Sequence, residues 1–248
     1  MRELLAVARR ALGDKGAGYV IRSGIDVMFR SMKINVGYLY HTLFRLYMVF
    51  AFQGSSYIYF FSRYNTTWRN EWCVEIPIVL EILGKHQGRE ILEVGNVLSH
   101  YCPVTHDIVD KYEVLEGSIN QDVAYLRTSK KYNLFLSIST MEDVGRDGNP
   151  CDRLKIQGES VKILRALGNL QGCLALGGMI VMTICVGYNS QLDRSLAEGK
   201  IVFWKQLCLK RISKNKWVGS DWVECREARY GTPYTVANAL VILFISKR

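Results

Sequence analysis

The chain has 248 residues, is 49% hydrophobic and 22% charged, and carries a formal net charge of +9. That composition excludes an intrinsically disordered chain and supports one large α/β domain with an extension, or two small domains. The charge is uneven, at +4 over residues 1–83, −1 over 84–176 and +6 over 177–248, so the two ends are suited to an anionic partner such as a phosphoglycan, a membrane surface or a nucleic acid.

The seven cysteines (73, 102, 151, 173, 185, 208 and 225) are scattered and form no C-x-x-C pair. This points to reduced thiols in a cytoplasmic protein rather than a disulfide framework or zinc site. His100, Cys102 and His106 lie close in sequence, but no carboxylate pattern completes a metal set. Met1–Gly13 has no apolar signal-peptide core. The aromatic stretch Tyr38–Phe61 is interrupted by His41, Arg45, Gln53 and Gly54, so no spanning helix is expected. The N-terminal helices are expected to pack on the domain, with peripheral attachment to a membrane through Arg9, Arg10, Arg22, Arg30 and Lys33 as the alternative.

In chain order, residues 2–12 read as a short basic helix, broken at 14–18, and Ser23–Met32 as a second helix with Ile25, Met28 and Phe29 at helical spacing. Residues 46–52 and 57–61 read as an aromatic hairpin around the turn 53–56. Asn65–Trp72 is a polar loop flanked by aromatics. Val74–Leu83 has a helical apolar stripe with Pro77 in its first turn. These features suggest an N-terminal helical and hairpin extension over residues 1–72, followed by a main domain over 73–248.

Glu90–Tyr101 is the stretch around which that domain is organised. Ile91, Leu92 and Val94 form a short apolar strand around one acid, Glu93. The strand stops at Gly95 and turns into Asn96, Ser99 and His100, as α/β sheets do where they open a nucleotide site. His106–Asp110 reads as a short strand ending in an acid, placed to meet ribose hydroxyls. Ser118–Val123 reads as an edge strand carrying Asp122, and Tyr132–Ser139 as a central strand buried on both faces. Residues 140–145 form a loop over the site. A helix over 152–171, a turn at 174–178, a buried strand at 179–184, alternating strands at Ile201–Ile212 and Trp217–Glu224, and a last apolar strand at Ala239–Ser246 complete the pattern. The expected fold is a Rossmann-like α/β three-layer sandwich, with a mostly parallel sheet ending in an antiparallel strand pair.

Over about Val74 to Lys247 this order of pieces resembles the class I S-adenosylmethionine-dependent methyltransferases. It is most similar to a divergent methyltransferase-like group that shares the Gly-Asn-Val-Leu-Ser-His-Tyr loop (95–101) and a Gly-Tyr-Asn after the fifth strand (187–189). The resemblance implies S-adenosyl-L-methionine as cofactor. It also implies a site built from Glu93, Gly95 and Asn96 near the methionine end, Asp110 at the ribose, Asp122 at the adenine amine and Ser139 at the end of the fourth strand. Val97 and Ser99 stand where the family often has further glycines, Asn133 replaces an acid, Asp143 stands where histidine is common, and Leu176 replaces a proline.

A hydroxyl acceptor would also need a base. Asp143, Glu142 and His100 are the candidates, Asp143 foremost. The Asn/Asp-Pro-Pro-Tyr signature of enzymes that methylate amino groups of nucleic acids is absent, which tilts the expectation toward O-methylation of a small molecule or glycan. Two other readings compete. One is an inactive methyltransferase-like protein that binds a nucleotide or a partner. The other is a nucleic-acid binder or methylase using Trp204, Lys205, Lys210, Arg211, Lys214, Lys216, Trp217 and Trp222. A nicotinamide enzyme fits poorly, since no G-x-G-x-x-G follows the first strand.

Overall fold

The computed structural model describes residues 17–44, 48–146, 159–214 and 216–247. The expected helix over residues 2–12 and the start of the one over 152–171 lie outside them. Nine strands are described. β1 (Val49–Phe52) and β2 (Ser55–Ile58) pair as an antiparallel hairpin. The other seven, β3 (Ile91–Val94), β4 (Asp107–Val109), β5 (Tyr132–Ile138), β6 (Leu174–Cys185), β7 (Lys205–Ser213), β8 (Lys216–Ser220) and β9 (Ala239–Ser246), form one sheet in the order β4-β3-β5-β6-β9-β7-β8. The first four run parallel, and β9 and β8 enter antiparallel. This is the expected Rossmann-like α/β architecture. The chain leaves β3 for β4 on one side and returns to β5 on the other, so a topological switch point lies between β3 and β5. Ligands of open α/β sheets bind outside the carboxyl ends of strands at such a point.

The sheet is covered on both faces. Leu134, Leu136 and Ile138 of β5 point to one face, and Phe135 points to the other. All four are fully buried, which explains the unbroken apolar run, and each contributes about 1.5–3 kcal/mol of burial. The first face packs against α2 (Trp72–Gly84) and the aromatic hairpin. The second packs against α3 (Glu159–Cys173) and residues of α4 (Ser190–Ala197). The hairpin is bound into the sheet layer: the Tyr59 hydroxyl accepts the Trp217 N–H at 2.9 Å.

Several elements differ from the sequence reading. The helix expected at 23–32 is one 28-residue helix, α1 (Ala17–Phe44), which continues through Gly37. Near its end a Cβ on Gly37 would touch the Trp68 indole at 3.4 Å, and His41 stacks on the same ring. Many of its apolar side chains, Ile21, Val27 and Phe44 among them, are exposed. No described helix is long and apolar enough to cross a membrane.

The edge strand expected at 118–123 shrinks to one parallel bridge, Val109 with Ile119, because Asp122 then caps a 3-10 turn at Val123–Tyr125. The turn expected at 174–178 lies inside β6 as a bulge: Tyr132 pairs with Leu174, and Leu134 next with Met179. The stretch expected as a strand to Glu224 stops at Ser220, where Asp221 caps the short helix α5 (Trp222–Cys225). In the stretch read as a basic aromatic surface, Trp217 and Arg211 are buried.

Candidate functional site

The turn after β3 is built from underneath by Glu93. This residue is fully buried, and its Oε1 accepts the N–H groups of Val97 and Leu98, both at 2.9 Å. Its Oε2 meets His106 Nε2 at 2.8 Å. A carboxylate inside an apolar strand needs such partners. Glu93 therefore shapes the loop from below and does not line the cleft above it.

Gly95 lies at φ +83°, and its N–H donates to the Val109 carbonyl at 2.9 Å. A Cβ there would sit 2.4 Å from Thr140 Oγ1, so the loop crosses the end of β5 at a distance only glycine allows. The side chains of Val97 and Leu98 are buried in the core beneath the loop.

Asp110, at the end of β4, accepts three backbone N–H groups: Asn96 on Oδ2 at 2.9 Å, and Tyr112 and Glu113 on Oδ1 at 2.7 and 2.8 Å. A carboxylate has about four lone-pair sites, so among the described residues one remains unused. Asp122 Oδ1 accepts the Ala124 N–H at 3.0 Å, and Oδ2 pairs with Lys162 at 2.8 Å and Lys111 at 3.3 Å. Burial would raise its carboxyl, but the hydrogen bonds from Lys162 and Ala124 outweigh it and hold the pKa below the ordinary value. Asp110 and Asp122 line a cleft of about 450 Å³ together with Gly95, Thr140 and Asp143, between apolar walls that include Val109, Val123 and Val144. That composition, apolar walls with carboxylates at their edge, suits a nucleoside.

A second cleft, of about 550 Å³, lies beside the first and is lined by Asn65, Glu71, Trp72, Ser139, Glu142, Asp143, Tyr188, Tyr230 and Val236, among others. Asp143 belongs to both clefts. It is more than half exposed, and the Tyr188 hydroxyl donates to it at 3.0 Å. Partial burial raises its pKa, and that hydrogen bond opposes the rise. Glu142 is buried, its Oε1 accepts the Cys185 N–H at 3.1 Å, and burial pushes its pKa up to about 8.

Ser139 holds φ +44° at the tip of β5. Its hydroxyl donates to Glu75 Oε1 at 2.6 Å, and its N–H donates to Thr183 Oγ1 at 3.0 Å. Asn65 and Val236, at φ +52° and +65°, line the same cleft. Non-glycine residues in this region are strained, and such strain gathers at functional sites.

The Gly-Tyr-Asn segment secures the loop. The Asn189 amide donates to the Glu142 carbonyl at 2.7 Å, and its Oδ1 caps α4 by accepting the N–H groups of Gln191 and Leu192. A Cβ on Gly187 would fall 2.7 Å from the Ala228 carbonyl.

The structure thus brings Gly95, Asp110, Asp122 and Asp143 to one cleft, and Ser139, Glu142 and Asp143 to the other. Asn96 does not line the first cleft; its N–H donates to Asp110, and its side chain turns to Glu113 and Ser99. His100 lines neither cleft. It stacks on Tyr64 with ring centroids 4.2 Å apart and pairs with Glu113 at 3.3 Å. The sequence reading missed Glu71, Glu75 and Tyr230. Two acids four residues apart beside the apolar stripe of α2 were the available signal, of the same kind that singled out Glu93.

No family model and no curated protein matches the chain. Solved structures do, all at low identity. The N-methyltransferase NodS from Bradyrhizobium japonicum WM9, in complex with S-adenosyl-L-homocysteine, is 12% identical over 72% of this chain and 89% of its own, with a TM-score of 0.43. The sugar N-methyltransferase KedS8 from Streptoalloteichus sp. is 9% identical over 70% and 87%, with a TM-score of 0.35. An rRNA methylase from Streptococcus thermophilus is 8% identical over 70% and 97%, with a TM-score of 0.38. The strand order β4-β3-β5-β6-β9-β7-β8 by itself makes the fold Rossmann-like.

Proposed function

We propose that this protein is an S-adenosyl-L-methionine-dependent methyltransferase acting on a small molecule or glycan. The observation that supports this most is the pair of clefts meeting at Asp143, above the carboxyl ends of β3 and β5. In this reading the adenosine lies between Val109, Val123 and Val144. The remaining lone-pair site of Asp110 receives a ribose hydroxyl, and Asp122 faces the adenine amine. The close crossing of Gly95 over Thr140 keeps the loop backbone low enough to admit the methionine end.

When bound, the cofactor supplies an electrophilic methyl group on a sulfonium, and the protein aligns an acceptor with it. The acceptor occupies the second cleft. For a hydroxyl acceptor, Asp143 takes the proton, and Tyr188 fixes the orientation of its carboxylate. Glu142 is a poorer base at rest, because burial favours its neutral form.

A second reading, nucleotide binding without transfer, is motivated by Asp143 standing where the family often has a histidine and by Asn133 in place of an acid. Incubation with methyl-labelled cofactor and a panel of sugars and small metabolites separates the two. Transfer of label, lost in Asp143→Asn, supports the enzyme. Saturable cofactor binding with no transfer to any acceptor favours the second reading.

A further inference from the structure

The second cleft has an acidic floor and aromatic walls. Glu71 and Glu142 line it, both more than nine-tenths buried, and the fully buried Glu75 lies behind Ser139. One oxygen of Glu142 accepts the Cys185 N–H, while its Oε2 has no hydrogen-bond partner among the described residues. Glu75 Oε2 is in the same position. Trp72, Tyr188 and Tyr230 form the walls, and Tyr188 and Tyr230 meet edge to face with ring centroids 4.8 Å apart.

None of the described lining residues is a lysine or arginine. The buried Arg211, whose charge acts on Glu71, directs its terminal N–H groups to the carbonyls of Arg69, Lys214 and Thr235. Arg146 stays at the rim, 3.9 Å from Asp143 and stacked on Tyr188. The described acids are not gathered into a set that could hold a metal ion.

A buried carboxyl oxygen without a partner, beside aromatic faces, is matched by an organic ammonium: burial keeps the empty carboxyl neutral, and an ammonium that docks there releases its proton to solvent and stabilises the carboxylate, whose oxygen accepts an N–H while the ring faces attract the charge. We infer that the acceptor carries a protonated amine, as an amino sugar does, and that this ammonium docks on Glu142 between Tyr188 and Tyr230. The inference rests on the proposed methyl transfer only in calling the occupant an acceptor. The methionine end of the cofactor is a worse match, because no lining lysine or arginine is described that would balance its carboxylate.

The test is amide NMR of the full chain, titrated with benzylammonium against benzyl alcohol and with glucosamine against glucose, each with and without saturating S-adenosylhomocysteine. The expected result is that an ammonium probe shifts the amides of Glu142, Cys185 and Tyr230 and binds at least about tenfold more tightly than its neutral counterpart. Glu142→Gln, nearly the same shape, removes that preference, and Glu71→Gln serves if the first variant does not fold. Equal binding of charged and neutral probes in both pairs overturns the inference, as does an unchanged preference in the folded variant. Competitive displacement of the ammonium probe by S-adenosylhomocysteine overturns it too, since the cleft would then belong to the cofactor. Ammonium selectivity without any S-adenosylhomocysteine binding upholds the amine site and defeats the methyltransferase reading alone.

Discussion

The Tyr188 hydroxyl donates to Asp143 Oδ1 at 3.0 Å, and this bond ties the segment following β6 to the loop shared by the two clefts. Burial first, and the neighbouring Asp143 charge second, push the Tyr188 pKa up to about 12 from an ordinary value of 10.0. A phenol whose folded pKa is raised keeps its proton longer when folded, so its contribution to stability is intact below the unfolded pKa and declines as pH rises from there to the folded value. Ultraviolet difference titration of the protein against Tyr188→Phe should show one tyrosine ionising near pH 12. Asp143→Asn should bring that ionisation down toward the ordinary value. An unmoved titration would mean that Asp143 does not govern the phenol.

Gly95→Ala places a Cβ 2.4 Å from Thr140 Oγ1 at a backbone φ of +83°. Strain and overpacking together should destabilise the fold by about 2–4 kcal/mol, measured by urea denaturation. Adding Thr140→Gly should recover the packing share but not the backbone share. A stability equal to that of the parent would contradict the close crossing of loop and strand.

Glu142 makes stability depend on pH in the direction opposite to a salt-bridged acid. Its carboxyl is pushed up to about 8 by burial, from an ordinary value of 4.5. Across that window the folded state retains a proton that the unfolded state has lost, so stability falls as pH rises. One group contributes a slope of at most about 1.4 kcal/mol per pH unit. Glu71 and Glu75 are raised by burial as well and add in the same direction. Denaturation curves between pH 5 and 8 should show this fall, and Glu142→Gln should flatten it by one group's share. A variant as steep as the parent would place the titration elsewhere.

Asn189 serves two neighbours at once, capping α4 and holding the Glu142 carbonyl. Asn189→Ala should cost about 1–3 kcal/mol, a lost helix cap plus a buried carbonyl left unsatisfied. Asn189→Asp retains the cap and loses the donor to Glu142. Its stability should fall between those of the parent and the alanine variant, and a ranking below alanine would mean that repulsion between the new carboxylate and the Glu142 carbonyl outweighs the retained cap.

The parts of the fold legible in sequence are those whose signal is local. The run Leu134–Ile138 announces a strand buried on both faces, and Gly95 announces a turn because no other residue fits its φ and its distance to Thr140. The single bridge at Ile119 carries the sequence signature of a full strand, since a capping Asp122 and an edge acid look the same in one dimension. Within the site, Asp110 and Asp122 are found at strand ends by spacing. The second cleft could not be read that way. Trp72, Ser139, Glu142, Tyr188 and Tyr230 come from four separate stretches of chain, and only the folded sheet brings them together. The burial of Glu142 Oε2 without a partner is likewise a property of the packing and not of its sequence neighbours.

Isothermal titration with S-adenosylhomocysteine tests the proposed cofactor cleft most directly. The account predicts saturable binding at one site, a rise in melting temperature with ligand concentration, and a loss of affinity of about tenfold or more in Asp110→Asn and in Asp122→Asn under conditions where both variants remain folded. No binding of S-adenosylhomocysteine or S-adenosylmethionine by the folded parent protein would contradict it.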